Sequence, residues 1–223
     1  MSAELLPAWA VGATRDAVVG FLRGVEDVDP RARVAVFDND GTLWCEKPTY
    51  PQVRFFVDEL GRAVAARPDL ADRAEYRAVL QGDRRAIAEL GLGRVALALV
   101  ELFEGMTPEE FARRVARFFD EAVHPERNVP WGSLLYVPML ELIDELRRRR
   151  FRVFTVTGGG GDFVRAVSMD LYGIPPERVV GSRVGYERVR RDGSLHLIRT
   201  SELEGDPNEG VAKLPSIQRQ IGQ

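Results

Sequence analysis

Asp38 and Asp40 stand two positions apart in Asp38-Asn39-Asp40-Gly41-Thr42, directly after the apolar run Val34-Ala35-Val36-Phe37. Residues two apart in an extended segment point the same way. Both carboxylates can therefore face one crevice at the C-terminal end of a strand, where open α/β sheets bind their ligands. Two clustered carboxylates repel each other unless a cation or a shared proton relieves them. Magnesium, a hard cation that takes oxygen ligands, meets that need. A calcium loop of the EF-hand kind does not fit, because it spreads its ligands over a longer loop and closes on a Glu.

A second constellation follows another apolar run, in Val153-Phe154-Thr155-Val156-Thr157-Gly158. A hydroxyl and free backbone N–H groups beside a helix N-terminus make a receptor for phosphate oxygens. The segment is not a Walker loop, since no Lys-Ser/Thr pair follows, and Gly158 to Gly161 do not match the dinucleotide-binding glycine pattern. Of the 31 basic residues only Lys47 and Lys213 are lysines. A compact ammonium can stand beside a carboxylate and a metal as a point charge, which a guanidinium fork does less well.

The elements that must position these groups alternate in period. Val18, Val19, Phe21, Leu22 and Val25 recur at helical spacing over 15–25. The run 34–37 reads as a strand buried on both faces. From about Cys45 to Pro130 the pattern is helical only, over 53–66, 69–80, 84–91, 94–104 and 107–122. The last of these opens with a capping box, Thr107-Pro108-Glu109-Glu110, and carries the stripe Phe111, Val115, Phe118, Phe119, which reads as the insert's own core. After Pro130 the α/β alternation resumes: a helix over 138–149, a strand over 151–156, a glycine turn, and a helix to about Leu171 with Asp162 as N-cap. A strand near 179–184 leads into a hairpin of 184–190 with 195–200, turning at Asp192-Gly193.

At 223 residues, 45% hydrophobic and 29% charged, the chain is an ordinary globular protein of one large or two small domains. A net charge of −3 argues against a nucleic-acid partner, which needs a basic face. Cys45 is the only cysteine, which excludes an internal disulfide and a multi-cysteine zinc site, and His124 and His196 are too few for a histidine-based centre. The opening MSAELLPAWAVG has no basic region followed by an apolar stretch, and no apolar run is long enough to span a membrane. A cytoplasmic protein is expected; the oligomeric state is not readable.

Val-Ala-Val-Phe-Asp-Asn-Asp-Gly-Thr-Leu resembles the first motif of the haloacid dehalogenase (HAD) superfamily, on its phosphatase side. The resemblance implies that Asp38 is a nucleophile forming an aspartyl-phosphate and Asp40 a general acid and then base, both also holding Mg2+. Thr157-Gly158 resembles the second motif, and Lys213, in Gly-Val-Ala-Lys-Leu-Pro, the third. Phosphate binding then falls to Thr42, Thr157 and Gly158, with Lys213 neutralising nucleophile and phosphate. The implied fold is a Rossmann-like three-layer α/β core of residues 1–44 and 131–223, with a helical cap over 45–130 closest to the phosphoserine phosphatase-like branch. Trp44, Glu46, Lys47 and Tyr50 would line the cap opening, with Glu46 able to meet a substrate amine. The fourth motif, an acidic pair after a further strand, has no counterpart: no Asp or Glu follows Glu209, and the expectation is that the native protein continues past Gln223. The implied activity is Mg2+-dependent hydrolysis of a small phosphorylated metabolite; phosphotransfer to another alcohol, or phospholigand binding without catalysis, stay open as alternatives.

Overall fold

The computed structural model describes residues 5–222; residues 1–4, which begin the segment read for a leader, and residue 223 lie outside them. Four strands, β1 (Val34–Phe37), β2 (Arg152–Gly160), β3 (Val179–Arg191) and β4 (Ser194–Glu204), form one sheet in that order. The pairs β1/β2 and β2/β3 are parallel and β3/β4 is an antiparallel hairpin. Asp192 and Gly193 turn the hairpin with φ of 50° and 78°, two successive left-handed residues, as a tight primed turn requires. The hairpin extends to Glu204, beyond the expected 200.

Helices α1 (Ala13–Gly24) and α2 (Pro51–Ala66) flank β1 in sequence, and α3 (Ala74–Gln81), α4 (Arg84–Leu90), α5 (Leu92–Glu101) and α6 (Pro108–Glu121) complete an all-helical insertion between β1 and β2. The expected helix 69–80 is broken: a 3-10 turn covers Pro68–Asp72, and Arg73 is extended before α3 begins. The capping box of α6 is formed in both directions, Thr107 Oγ1 accepting from Glu110 N and Glu110 Oε2 accepting from Thr107 N. Where the insertion leaves and returns, the backbones lie side by side, with Cys45 N donating to Leu134 O and Tyr136 N to Leu43 O, each at 3.0 Å. Then α7 (Val137–Arg148) leads to β2, α8 (Gly161–Tyr172) joins β2 to β3, and α9 (Lys213–Ile221) ends the fold.

Three sequence-based expectations change. Among the described residues β1 pairs with β2 alone, and Val36 is 43% exposed, so the strand is not buried on both faces. The glycines 158–160 continue β2 as extended backbone instead of turning, because distant groups satisfy them: Ser182 Oγ donates to Gly158 O and Gly160 N donates to Gln52 Oε1. Asp162 lies inside α8, whose N-cap is Gly160, and its carboxylate is taken by Tyr186 and Arg199 from the hairpin.

The aromatic stripe of α6 is not confined to the insertion. Phe55 from α2 meets Phe103, Phe111, Phe118 and, on α8, Phe163, at ring separations of 5.4 to 5.8 Å. One apolar cluster thus spans insertion and α/β core, while Leu60, Tyr76, Val95, Ala98 and Leu99 form a second within the insertion. Phe55→Ala, at a fully buried position, is expected to lower the unfolding free energy by about 3–5 kcal/mol. Thr107→Ala, which removes one cap, should cost about 1 kcal/mol. Urea denaturation of the two variants checks the contrast.

Candidate active site

The chain leaves β1 through a tight turn. Asn39 O accepts from Thr42 N and Leu43 N, and Gly41 has φ +74°, with a Cβ there falling 3.1 Å from the Glu46 carboxyl. The left-handed φ favours glycine at Gly41. The turn exposes Asp38, buries Asn39 and half-buries Asp40. Both aspartates border one cavity of about 910 Å³, together with Gly158 and Lys213. Tyr172 holds the turn from below by donating to Asn39 Oδ1 at 3.1 Å, and its hydroxyl is pushed well up by burial, with the Asp40 charge adding to the effect.

Each aspartate has its own counterweight. Lys213 Nζ lies 2.8 Å from Asp38 Oδ1. Trp44 Nε1 donates to Asp40 Oδ1 at 2.7 Å, and Thr157 Oγ1 stands 3.5 Å from Asp40 Oδ2. Burial pushes the Asp40 carboxyl above its ordinary pKa; the Trp44 N–H opposes the shift and the neighbouring Asp38 charge adds to it. Asp40 therefore keeps its proton to a higher pH than a free carboxyl.

Lys213 is placed by α9, which docks through Ile221 and Ile217 against Phe154, Val156 and Val180 of the sheet. Gln220 adds hydrogen bonds to the carbonyls of Glu177 and Val179. Thr157 is fully buried; its hydroxyl accepts from Gly159 N at 3.0 Å and its carbonyl from Asn208 Nδ2 at 2.8 Å. Asn208 N in turn donates to Ser182 Oγ. Asn208 and Ser182 are thus buttresses of the second motif that sequence reasoning missed, and no local pattern marks them.

The remaining candidates separate. Trp44 is 2% exposed, its indole packed on Phe119, Phe163 and Tyr172, so it supports Asp40 from the core instead of lining an opening. Glu46 folds onto Gly41 and neither it nor Lys47 borders the cavity; Tyr50 does. Thr42 sits in the turn beyond Asp40, and it too is not part of the cavity wall. Asp206 and Glu209, between β4 and α9, do border it, and the Glu209 carboxylate covers Gly158 so closely that a Cβ there would lie 1.7 Å from Oε2.

No group of three or more His, Cys, Asp or Glu that could hold a metal occurs among the described residues. Magnesium is commonly bound by one or two carboxylates, with water and phosphate oxygens filling its other positions. The hard-oxygen pair Asp38 and Asp40 fits that mode. Among the described residues no helix is long and apolar enough to cross a membrane.

The sequence profile of haloacid dehalogenase-like hydrolases matches residues 35–222. The chain belongs to this family. Among solved structures, a protein of unknown function from Bordetella pertussis Tohama I is 21% identical, with 85% of this chain and 74% of that one covered and a TM-score of 0.57. A conserved protein from Anaerococcus prevotii DSM 20548 is 15% identical over 93% of this chain and 76% of its own, with a TM-score of 0.59. These two show that the fold is shared. A phosphoserine phosphohydrolase-like protein from Francisella tularensis subsp. tularensis SCHU S4 is also a neighbour, at 20% identity, 85% and 73% coverage and a TM-score of 0.42. A search of curated protein sequences found no match.

Because the Trp44 N–H holds down the proton affinity of Asp40, Trp44→Phe should raise the Asp40 pKa further. It should also cost about 1–3 kcal/mol of stability by leaving a partly buried acceptor without its donor. Carboxyl-carbon NMR titration without metal, with denaturant unfolding alongside, measures both.

Proposed function

We propose that this HAD hydrolase is a phosphatase that cleaves phosphomonoesters through an aspartyl-phosphate on Asp38. The observation that carries this reading is the pair of differently held carboxylates on one cavity: Asp38 exposed and paired with Lys213, Asp40 half-buried with raised proton affinity. An exposed carboxylate paired with an ammonium can act as a nucleophile, and a carboxyl that retains its proton can serve a leaving group.

In the first step Asp38 attacks phosphorus in line and the bond to the ester oxygen breaks, while Asp40 gives its proton to the departing alcohol. In the second, Asp40, now ionised, takes a proton from a water that attacks the same phosphorus. The acyl-phosphate bond breaks, releasing inorganic phosphate and restoring Asp38. Lys213 and the Gly158 amide, both on the cavity wall, are the groups that would hold the phosphoryl oxygens, where fixed charge and dipoles supply much of the rate gain. Thr157, fully buried behind the wall, would serve through its contacts with Asp40 and the Gly159 amide. Mg2+, held by Asp38 and Asp40, would neutralise charge on the bound phosphate. Residues 45–130 serve as the cap over the core of 1–44 and 131–223, a division supported by the paired backbones at 43–45 and 134–136.

With Mg2+ present, Asp38→Asn should lower phosphate release from para-nitrophenyl phosphate by on the order of 10³-fold or more while leaving the thermal unfolding transition in place. Turnover equal to that of the unaltered protein would refute the assignment of Asp38.

A further inference from the structure

The cavity that holds the aspartates extends well past them, and its far wall is hydrocarbon. Tyr50 immediately precedes α2, Val53 and Phe56 come from its first turns, Leu92 from the start of α5, and Val184 and Leu203 from a cross-strand pair on the hairpin. Tyr50, Val53, Leu92 and Leu203 are all more than two-fifths exposed. Exposed large apolar side chains normally scatter; a group of them around one cavity marks a ligand-binding surface.

The charged groups on the same wall are largely committed elsewhere. Arg199 donates to Asp162 Oδ2 at 2.6 Å and to Tyr186 Oη at 3.1 Å, and its guanidinium lies 4.0 Å above the Phe111 ring. Arg183 Nε stands 3.6 Å from Glu204. Of the arginines bordering the cavity, that leaves Arg84. Glu46, which the sequence offered to a substrate amine, is not on the wall. Apart from Asp40, the wall's charged groups without an ion pair among the described residues are Arg84, Asp206 and Glu209. A polar alcohol would still trade hydration for hydrocarbon against the side chains of α2, α5 and the hairpin.

We propose, building on the phosphatase reading, that the alcohol half of the substrate is apolar: the enzyme hydrolyses phosphomonoesters of hydrocarbon alcohols, the phosphate at Asp38 and Lys213 and the chain along α2, α5 and the hairpin. Burying each methylene on this wall raises kcat/KM by about fourfold until the wall is covered.

The test uses the full chain with Mg2+ and a series of n-alkyl phosphates from ethyl to octyl, with O-phosphoserine for comparison. The expected result is a rise of about 10²-fold in kcat/KM from ethyl to hexyl phosphate, with O-phosphoserine below the longer esters. Val53→Asn, an exposed position, should cut the octyl-to-ethyl ratio about tenfold; Leu203→Asn on β4 serves the same purpose should the first variant melt early. Hydrolysis that is flat with chain length, or that favours O-phosphoserine, overturns this inference and leaves the phosphatase reading standing. If no ester is hydrolysed, the phosphatase reading fails, and calorimetry with n-alkylphosphonates decides the apolar site by itself: affinity rising with chain length upholds it and affinity independent of length overturns it.

Discussion

Two carboxylates on one cavity can coexist only if each is held against the other's charge, and most of the fold around β1 serves that end. Lys213 offsets Asp38 by direct ion pairing, and Trp44 offsets Asp40 by donating an N–H from inside the apolar core. The two solutions leave the acids unlike: one stays open and paired with a cation, the other half-buried with its proton affinity raised. A symmetric pair in water would titrate alike; this difference in surroundings is what separates a nucleophile from an acid/base.

The counterweights come from far apart in the chain, so the site depends on packing that has no direct part in the chemistry. Lys213 reaches Asp38 because Ile217 and Ile221 seat α9 on the sheet. Trp44 reaches Asp40 because its ring is held among Phe119, Phe163 and Tyr172, and Phe163 belongs to the same aromatic network as Phe55 and Phe118 of the insertion. The insertion is also tied to the hairpin, Arg199 exchanging two backbone hydrogen bonds with Gly105 and Met106. The cavity therefore has walls from the insertion, β2 and the hairpin on a continuous support.

Much of this was legible in the residues. The period change at Cys45, the capping box of α6, the turn at Asp192-Gly193 and the Asp38-to-Asp40 spacing are local signals, and each has its counterpart in the structure. What escaped was long-range. The glycines after Thr157 look like a turn because nothing near them can satisfy an extended backbone; Ser182, Asn208 and Gln52 do so from other elements. Asp162 looks like an N-cap until Arg199 and Tyr186 claim it, which holds Tyr186 neutral with its pKa pushed up to about 12 by burial and by the bond to Asp162. Trp44 beside a motif suggests a wall residue, whereas the aromatic core draws its ring inward.

The central claim, that Asp38 carries the phosphoryl group between two half-reactions, is tested most directly by rapid acid quench during turnover of a phosphomonoester with Mg2+, followed by peptide mass spectrometry. The account predicts one added phosphoryl group, on the peptide containing Asp38 and at that residue. Phosphate release with Asp38 never modified, or with the phosphoryl group on another side chain, would contradict it.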